Sequence, residues 1–148
     1  MIELSVLAPQ VADVATQAGA YLRKAQKNFD RNAVELKSLN ALVSHADRSA
    51  EKLIVTKLTQ LLPEAGFLTE EGTVHQDTQK EYLWVIDPLD GTTNFVHGLP
   101  IYSVSIALLK NRTPVLGIVY EVGMNECFSA YKDGGAFLNG LPISVTST

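Results

Sequence analysis

Trp84-Val85-Ile86-Asp87-Pro88-Leu89-Asp90-Gly91-Thr92-Thr93-Asn94-Phe95 decides how the rest of the chain is read. An apolar, β-prone run passes directly into two aspartates three residues apart, then into a glycine and two hydroxyl residues. This pattern predicts a buried strand that ends in acids, with Gly91, Thr92 and Thr93 opening a helix. Pro88 removes one backbone donor and fixes φ, which helps end the strand and aims the Leu89 carbonyl toward the flanking carboxylates.

Downstream, Tyr102 to Leu109, Val115 to Tyr120 and Cys127 to Tyr131 are further β-rich runs. Lys110-Asn111-Arg112-Thr113-Pro114 and Lys132-Asp133-Gly134-Gly135 separate them as hairpin turns, and Asn139-Gly140 makes another between Ala136-Phe137-Leu138 and Leu141-Pro142-Ile143. Upstream, Leu4, Leu7, Ala8, Val11, Ala15, Ala18, Leu22, Ala25 and Phe29 recur every three or four positions, which predicts a long amphipathic helix from Leu4 to Phe29. A short β-prone piece, Ala33 to Leu36, follows, and a polar link through Lys37, Ser38 and Asn40 leads to Leu42 and Val43, read as a strand with a turn. Ser44 and Asp47 resemble a capping box before a second helix, His45 to Leu62. Gly66-Phe67-Leu68 reads as a short strand leading to Thr69-Glu70-Glu71-Gly72, and Thr73 to Lys80 as a loop. Two long helices packed on a mostly antiparallel β-sheet make an α+β fold, with residues 1–148 as a single domain.

Composition narrows the function. A chain of 148 residues, 46% hydrophobic and 19% charged, can bury about 70% of its unfolded surface around one core. A formal charge of -4, with no cluster of Lys and Arg, excludes a basic nucleic-acid surface. Cys127 is the sole cysteine, so an intrachain disulfide is excluded and a reducing compartment is expected. The first residues carry Glu3 and no basic n-region, and no run approaches the roughly 18 apolar residues of a membrane span. A cytoplasmic protein with no membrane or nucleic-acid partner is the expectation.

Asp87 and Asp90 offer the oxygen ligands that hard divalent cations such as magnesium take. Two ionised carboxylates about 5 Å apart repel by roughly 3 kcal/mol at an effective dielectric of 20, and a cation relieves that cost. The amides of a helix opening at Gly91 would suit a phosphate oxygen, so that phosphate and metal are neighbours, as phosphoryl transfer requires. The competing reading of Asp-Pro-x-Asp-Gly is a plain surface turn, since each of these residue types favours turns. The longer match decides: five fixed residues, each at roughly 5 to 7% usage, arise by chance in a chain this long on the order of once in ten thousand.

Asp87-Pro88-Leu89-Asp90-Gly91-Thr92 resembles the first signature motif of the inositol monophosphatase family, and Asn94-Phe95-Val96-His97-Gly98-Leu99-Pro100 resembles its continuation. The likeness extends from the first helix to the Asn139-Gly140 turn, and it implies the N-terminal half of an αβαβα layered sugar-phosphatase fold. It further implies Mg2+ as cofactor, with Glu70, Asp87, the Leu89 carbonyl and Asp90 as metal ligands, and Glu71 as a neighbour rather than a ligand. Asp47 and Thr92 would orient the attacking water, Glu70 would serve catalysis as well as the metal, and Asp90, Gly91 and Thr92 would meet the substrate. Without the resemblance, Asp47 reads as a helix-start carboxylate and Glu70 as an exposed loop acid. His45, His75 and His97 lack any paired metal spacing and read as structural or solvated.

The implied activity is hydrolysis of a small phosphorylated polyol, foremost myo-inositol monophosphate, by metal-activated water, with lithium sensitivity as a family trait. Nucleotide bisphosphates, sugar bisphosphates and histidinol phosphate stay open as substrates, as does a non-catalytic interaction module. Homodimers are common in the family. Ala41 and Thr69 depart from the family pattern, where aspartate and glycine are usual. The family's second motif, a tryptophan-aspartate pair, has no counterpart here, since Trp84 is the only tryptophan. A fragment of a longer enzyme is therefore expected.

Overall fold

The computed structural model describes residues 2–28 and 36–147. Each long element forms because its apolar positions return at the period it needs. In α1 (Leu4–Lys27), Leu7, Val11, Val14, Ala15, Ala18 and Leu22 are all buried along one stripe. Lys24 and Lys27 in the last turn complement the negative helix end, which closes at Asn28. In α2 (Leu36–Leu61), Leu39, Val43, Ala46, Ala50, Ile54 and Leu58 form the equivalent stripe. Full burial of a side chain such as Ile54 or Leu58 stabilises the fold by about 1.5–3 kcal/mol.

The strands are β1 (Gly66–Thr69), β2 (Tyr82–Asp90), β3 (Ser103–Lys110), β4 (Thr113–Glu121), β5 (Glu126–Tyr131), β6 (Gly135–Leu138) and β7 (Leu141–Ile143), with a short helix α3 (Thr92–Val96) after β2. They form one sheet in sequence order. β1 pairs parallel with β2, and every later neighbouring pair is antiparallel. Alternation sets the buried face: Val104, Ile106 and Leu108 of β3 and Leu116, Ile118 and Tyr120 of β4 point into the core. α1 lies over β3, β4 and β5, and α2 over β2. The α+β class and the two long helices thus agree with the sequence reading. Among the described residues no helix is long and apolar enough to cross a membrane.

The hairpins close where expected. Asn111 and Arg112 between β3 and β4 both have positive φ, as do Asn139 and Gly140 between β6 and β7, the backbone that matches the twist of flanking strands.

Two expectations fail around α2. Leu42 and Val43 are not a strand but lie within α2, with Val43 buried and Leu42 on the outer face. Ser38 and Asn40 are that helix's exposed side rather than a link. Ser44 and Asp47 are accordingly mid-helix and form no capping box. The period-four run from Leu39 to Leu58 continues without a break, and burying that stripe outweighs the local preference of the polar residues for turns. The β-prone piece expected at Ala33 to Leu36 lies outside the described residues apart from Leu36, which opens α2, and Phe29 lies outside them too. Pro88 does not end β2, which runs on to Asp90.

α1 meets β4 through Gly19. A Cβ there would come within 2.3 Å of Tyr120 Cε2. That ring is buried, and its hydroxyl accepts from Arg23 at 3.0 Å and donates to Asn125 Oδ1 at 2.5 Å, so it has little room to move. Gly19→Ala is expected to cost about 1–3 kcal/mol through overpacking, read as a lower urea midpoint in Trp84 fluorescence. An unchanged midpoint would show that the Tyr120 ring steps aside freely.

Candidate metal centre

Three segments deliver carboxylates to one end of the sheet. The first delivery follows from register. β1 and β2 run parallel with Thr69 level with Ile86, and the Glu70 amide donates to the Ile86 carbonyl at 3.1 Å. Glu70 and Asp87 therefore come next on neighbouring strand ends, whose backbones lie about 4.8 Å apart.

The second follows from parity. Residues three apart on a regular strand face opposite ways, so Asp87 and Asp90 should diverge. Instead the register shifts between them: Asp87 is level with Ser105, and Asp90 with Ser103. Those serines share a face of β3, so the extra residue in β2 turns both aspartates to one side. The Leu89 amide donates to Asp87 Oδ1 at 3.2 Å, which fixes the bend locally.

The third comes from α2. Asp47 and Glu51 stand one turn apart on a face otherwise made of Val43, Ala46, Ala50 and Ile54. Asp47 is 7% exposed and Glu51 is fully buried. Beyond β2, Gly91 has φ 99°, and a Cβ there would lie 3.1 Å from the Ile101 carbonyl oxygen, so both conformation and space require glycine. This turn starts α3, a five-residue helix. It is too short for a strong dipole, and what it offers an anion is its first-turn amides, which lack intrahelical acceptors.

The charges act strongly on one another. Burial pushes the Asp47 carboxyl up to about 8, helped by its hydrogen bond with Glu71 and then by the charges of Glu71, Asp87 and Glu51. Burial also raises Asp87, against the Leu89 amide that lowers it, and Asp90, Glu70 and Glu71 raise it further. A cation beside Asp47 would relieve the same crowding of acids that raises its proton affinity. Asp47 Oδ1 is buried without a hydrogen-bond partner. The donors are all oxygen, the set that hard divalent cations take. In chemistry, though not yet in spacing, the donor set suits such a cation.

The sequence-derived residues are only partly assembled. Asp87 feels Asp90 and Glu70, whereas Asp47 is engaged by Glu71, which the sequence reading set aside as a neighbour. Among the described residues no three His, Cys, Asp or Glu side chains are close enough to enclose a metal ion. Thr92 donates to the Leu89 carbonyl at 3.3 Å rather than to Asp47. His45, His75 and His97 are exposed. Glu51 was missed altogether. Its signal was a second acid one turn after Asp47 on an apolar helix face, where a charge is rare without a partner.

Because the folded state raises the Asp47 pKa, it holds a proton there that the unfolded chain releases. Its contribution to stability is full below about pH 4 and is lost as the pH rises through about 8. With divalent cations chelated, wild type and Asp47→Asn should unfold at similar temperatures at about pH 4, and the variant should become the more stable progressively toward about pH 8. Circular dichroism melts check this, and a difference that does not change with pH would contradict it.

Comparison with known proteins fits this arrangement. Residues 3–148 match the model of the inositol monophosphatase family. An inositol monophosphatase from Mesembryanthemum crystallinum is 41% identical over 99% of this chain and 54% of its own length. Nus factor SuhB from Pasteurella multocida is 40% identical over 88% of this chain and 49% of its own length. The solved inositol monophosphatase from Anabaena (Nostoc) sp. PCC 7120 superposes with a TM-score of 0.82 at 32% identity, covering 98% of this chain and 51% of that one. The chain spans about half the length of the relatives it matches. By the family match over residues 3–148 and the likeness to these relatives, the chain belongs to the inositol monophosphatase family.

Proposed function

We propose that this chain is the N-terminal, metal-binding domain of a magnesium-dependent phosphatase that hydrolyses a small phosphorylated polyol, foremost myo-inositol monophosphate. The observation that carries the reading is the meeting of acids from α2, the end of β1 and the end of β2, whose strongest charged neighbours are other acids. A protein keeps such repulsion only where a ligand relieves it.

In this reading Glu70, Asp87, the Leu89 carbonyl and Asp90 would hold Mg2+. Bound metal supplies charge neutralisation at the phosphate and lowers the pKa of water. The chain's own groups do the positioning. The first-turn amides after Gly91, with the Thr92 hydroxyl, receive phosphate oxygens. Asp90, exposed at the strand end, accepts hydrogen bonds from polyol hydroxyls. Asp47, whose carboxyl has a raised proton affinity, would with Thr92 orient the attacking water. Relatives of twice this length leave room for a further ligand and the rest of the substrate pocket from a second half.

A second reading is supported by the likeness to a Nus factor: the domain associates with a larger assembly and its acids are retained without catalysis.

Phosphate release separates the two, measured on the protein at the full length of its relatives with inositol, fructose, nucleotide and histidinol phosphates. We expect Mg2+-dependent hydrolysis, fastest on inositol monophosphate, and a loss of about 100-fold or more in Asp87→Asn, the several kcal/mol that a metal supplies to such a transition state. No hydrolysis of any ester would leave the second reading.

A further inference from the structure

We propose that Glu51 is a positioning residue that sets the Glu70–Glu71 loop against the end of β2 before any cation arrives. The inference rests on the metal-binding reading above. Glu51 is fully buried, and both of its carboxyl oxygens accept hydrogen bonds from that loop. Glu71 N–H donates to Oε1 at 2.8 Å, Thr73 N–H to Oε2 at 2.8 Å, and the Thr73 hydroxyl to the same Oε2 at 2.5 Å. A single side chain thus spans the residues on either side of Gly72, whose positive φ turns the chain back.

The loop is held elsewhere too. The Glu70 amide is tied to Ile86 of β2, and the Thr69 hydroxyl accepts from Gly72 N–H at 3.1 Å and from Gln76 Nε2 at 3.0 Å. Glu51 differs from these because it reaches from α2. It sits one turn beyond Asp47 on the same helix face, so the two acids that meet Glu71, one at its backbone and one at its carboxyl, have a fixed spacing. Fixing the backbone at Glu71 and Thr73 brackets the directions the Glu70 and Glu71 carboxylates can take. A loop ordered in advance does not charge its ordering entropy to metal binding.

The burial of Glu51 also explains why an acid is used here. Each of its two oxygens accepts from a backbone N–H of the loop, and a carboxylate presents two acceptor oxygens where an amide presents one. Removing the Thr73 hydroxyl leaves the two backbone bonds in place, so Thr73→Val loosens the clamp without emptying the core.

The test is an NMR titration of the 15N-labelled chain with Mg2+, run well below the unfolding temperature of every variant. The amides of Asp87, Leu89 and Asp90 report affinity, and hydrogen exchange at the Glu71 and Thr73 amides reports loop order. Thr73→Val and Glu51→Gln should each speed exchange at those two amides and weaken Mg2+ binding by about 10-fold, the usual effect of disturbing a group that orients a metal ligand. Glu51→Gln, which keeps one acceptor oxygen, should retain more affinity than Glu51→Ala. Variants that exchange faster or melt earlier but bind Mg2+ as wild type does would overturn the proposal and make Glu51 purely structural. If wild type shows no Mg2+ response at those amides, the metal-binding reading itself fails and this inference with it.

Discussion

Repulsion among carboxylates that come together at the ends of β1 and β2 is the constraint on which the rest of the structure turns. Burial makes the Asp47 and Asp87 charges harder to carry, and neighbouring acids make them harder still. The apolar stripes of α1 and α2 against the sheet supply the free energy that holds these groups close despite the cost. Within the chain, a raised proton affinity at Asp47 relieves part of it. A core that stabilises and a strand end that destabilises are two sides of one arrangement, and such local conflict is characteristic of functional sites.

The geometry rests on two small devices. One is the extra residue in β2, which changes the parity of Asp87 and Asp90 so that both face one way. The other is α2, whose buried face carries two acids with separate tasks: Asp47 approaches the Glu71 carboxyl, while Glu51 holds the Glu71 and Thr73 backbone. Both are built on elements whose positions are set by core packing, which is how a site keeps its angles.

Much of the fold was legible in the chain because period and turn chemistry point the same way from α1 onward through β7. The strand runs and the Asn139-Gly140 turn needed no tertiary information. The beginning of α2 was not legible, because Ser38 and Asn40 favour turns locally and the burial of Leu39 and Val43 overrides them. Asp87, Asp90 and Glu70 were found through a motif. Their relative placement was not, since parity at a bulge and the level of Glu70 beside Asp87 are properties of strand pairing. Glu51 escaped because its partners are backbone amides some twenty residues away, which leave no trace in composition.

The sharpest measurement is anomalous diffraction from crystals of the chain grown with Mn2+ as a stand-in for Mg2+. A peak is expected within bonding distance of Asp87, Glu70 and the Leu89 carbonyl. Crystals that show no peak there, with the same acids instead paired to lysine or arginine side chains, would contradict it.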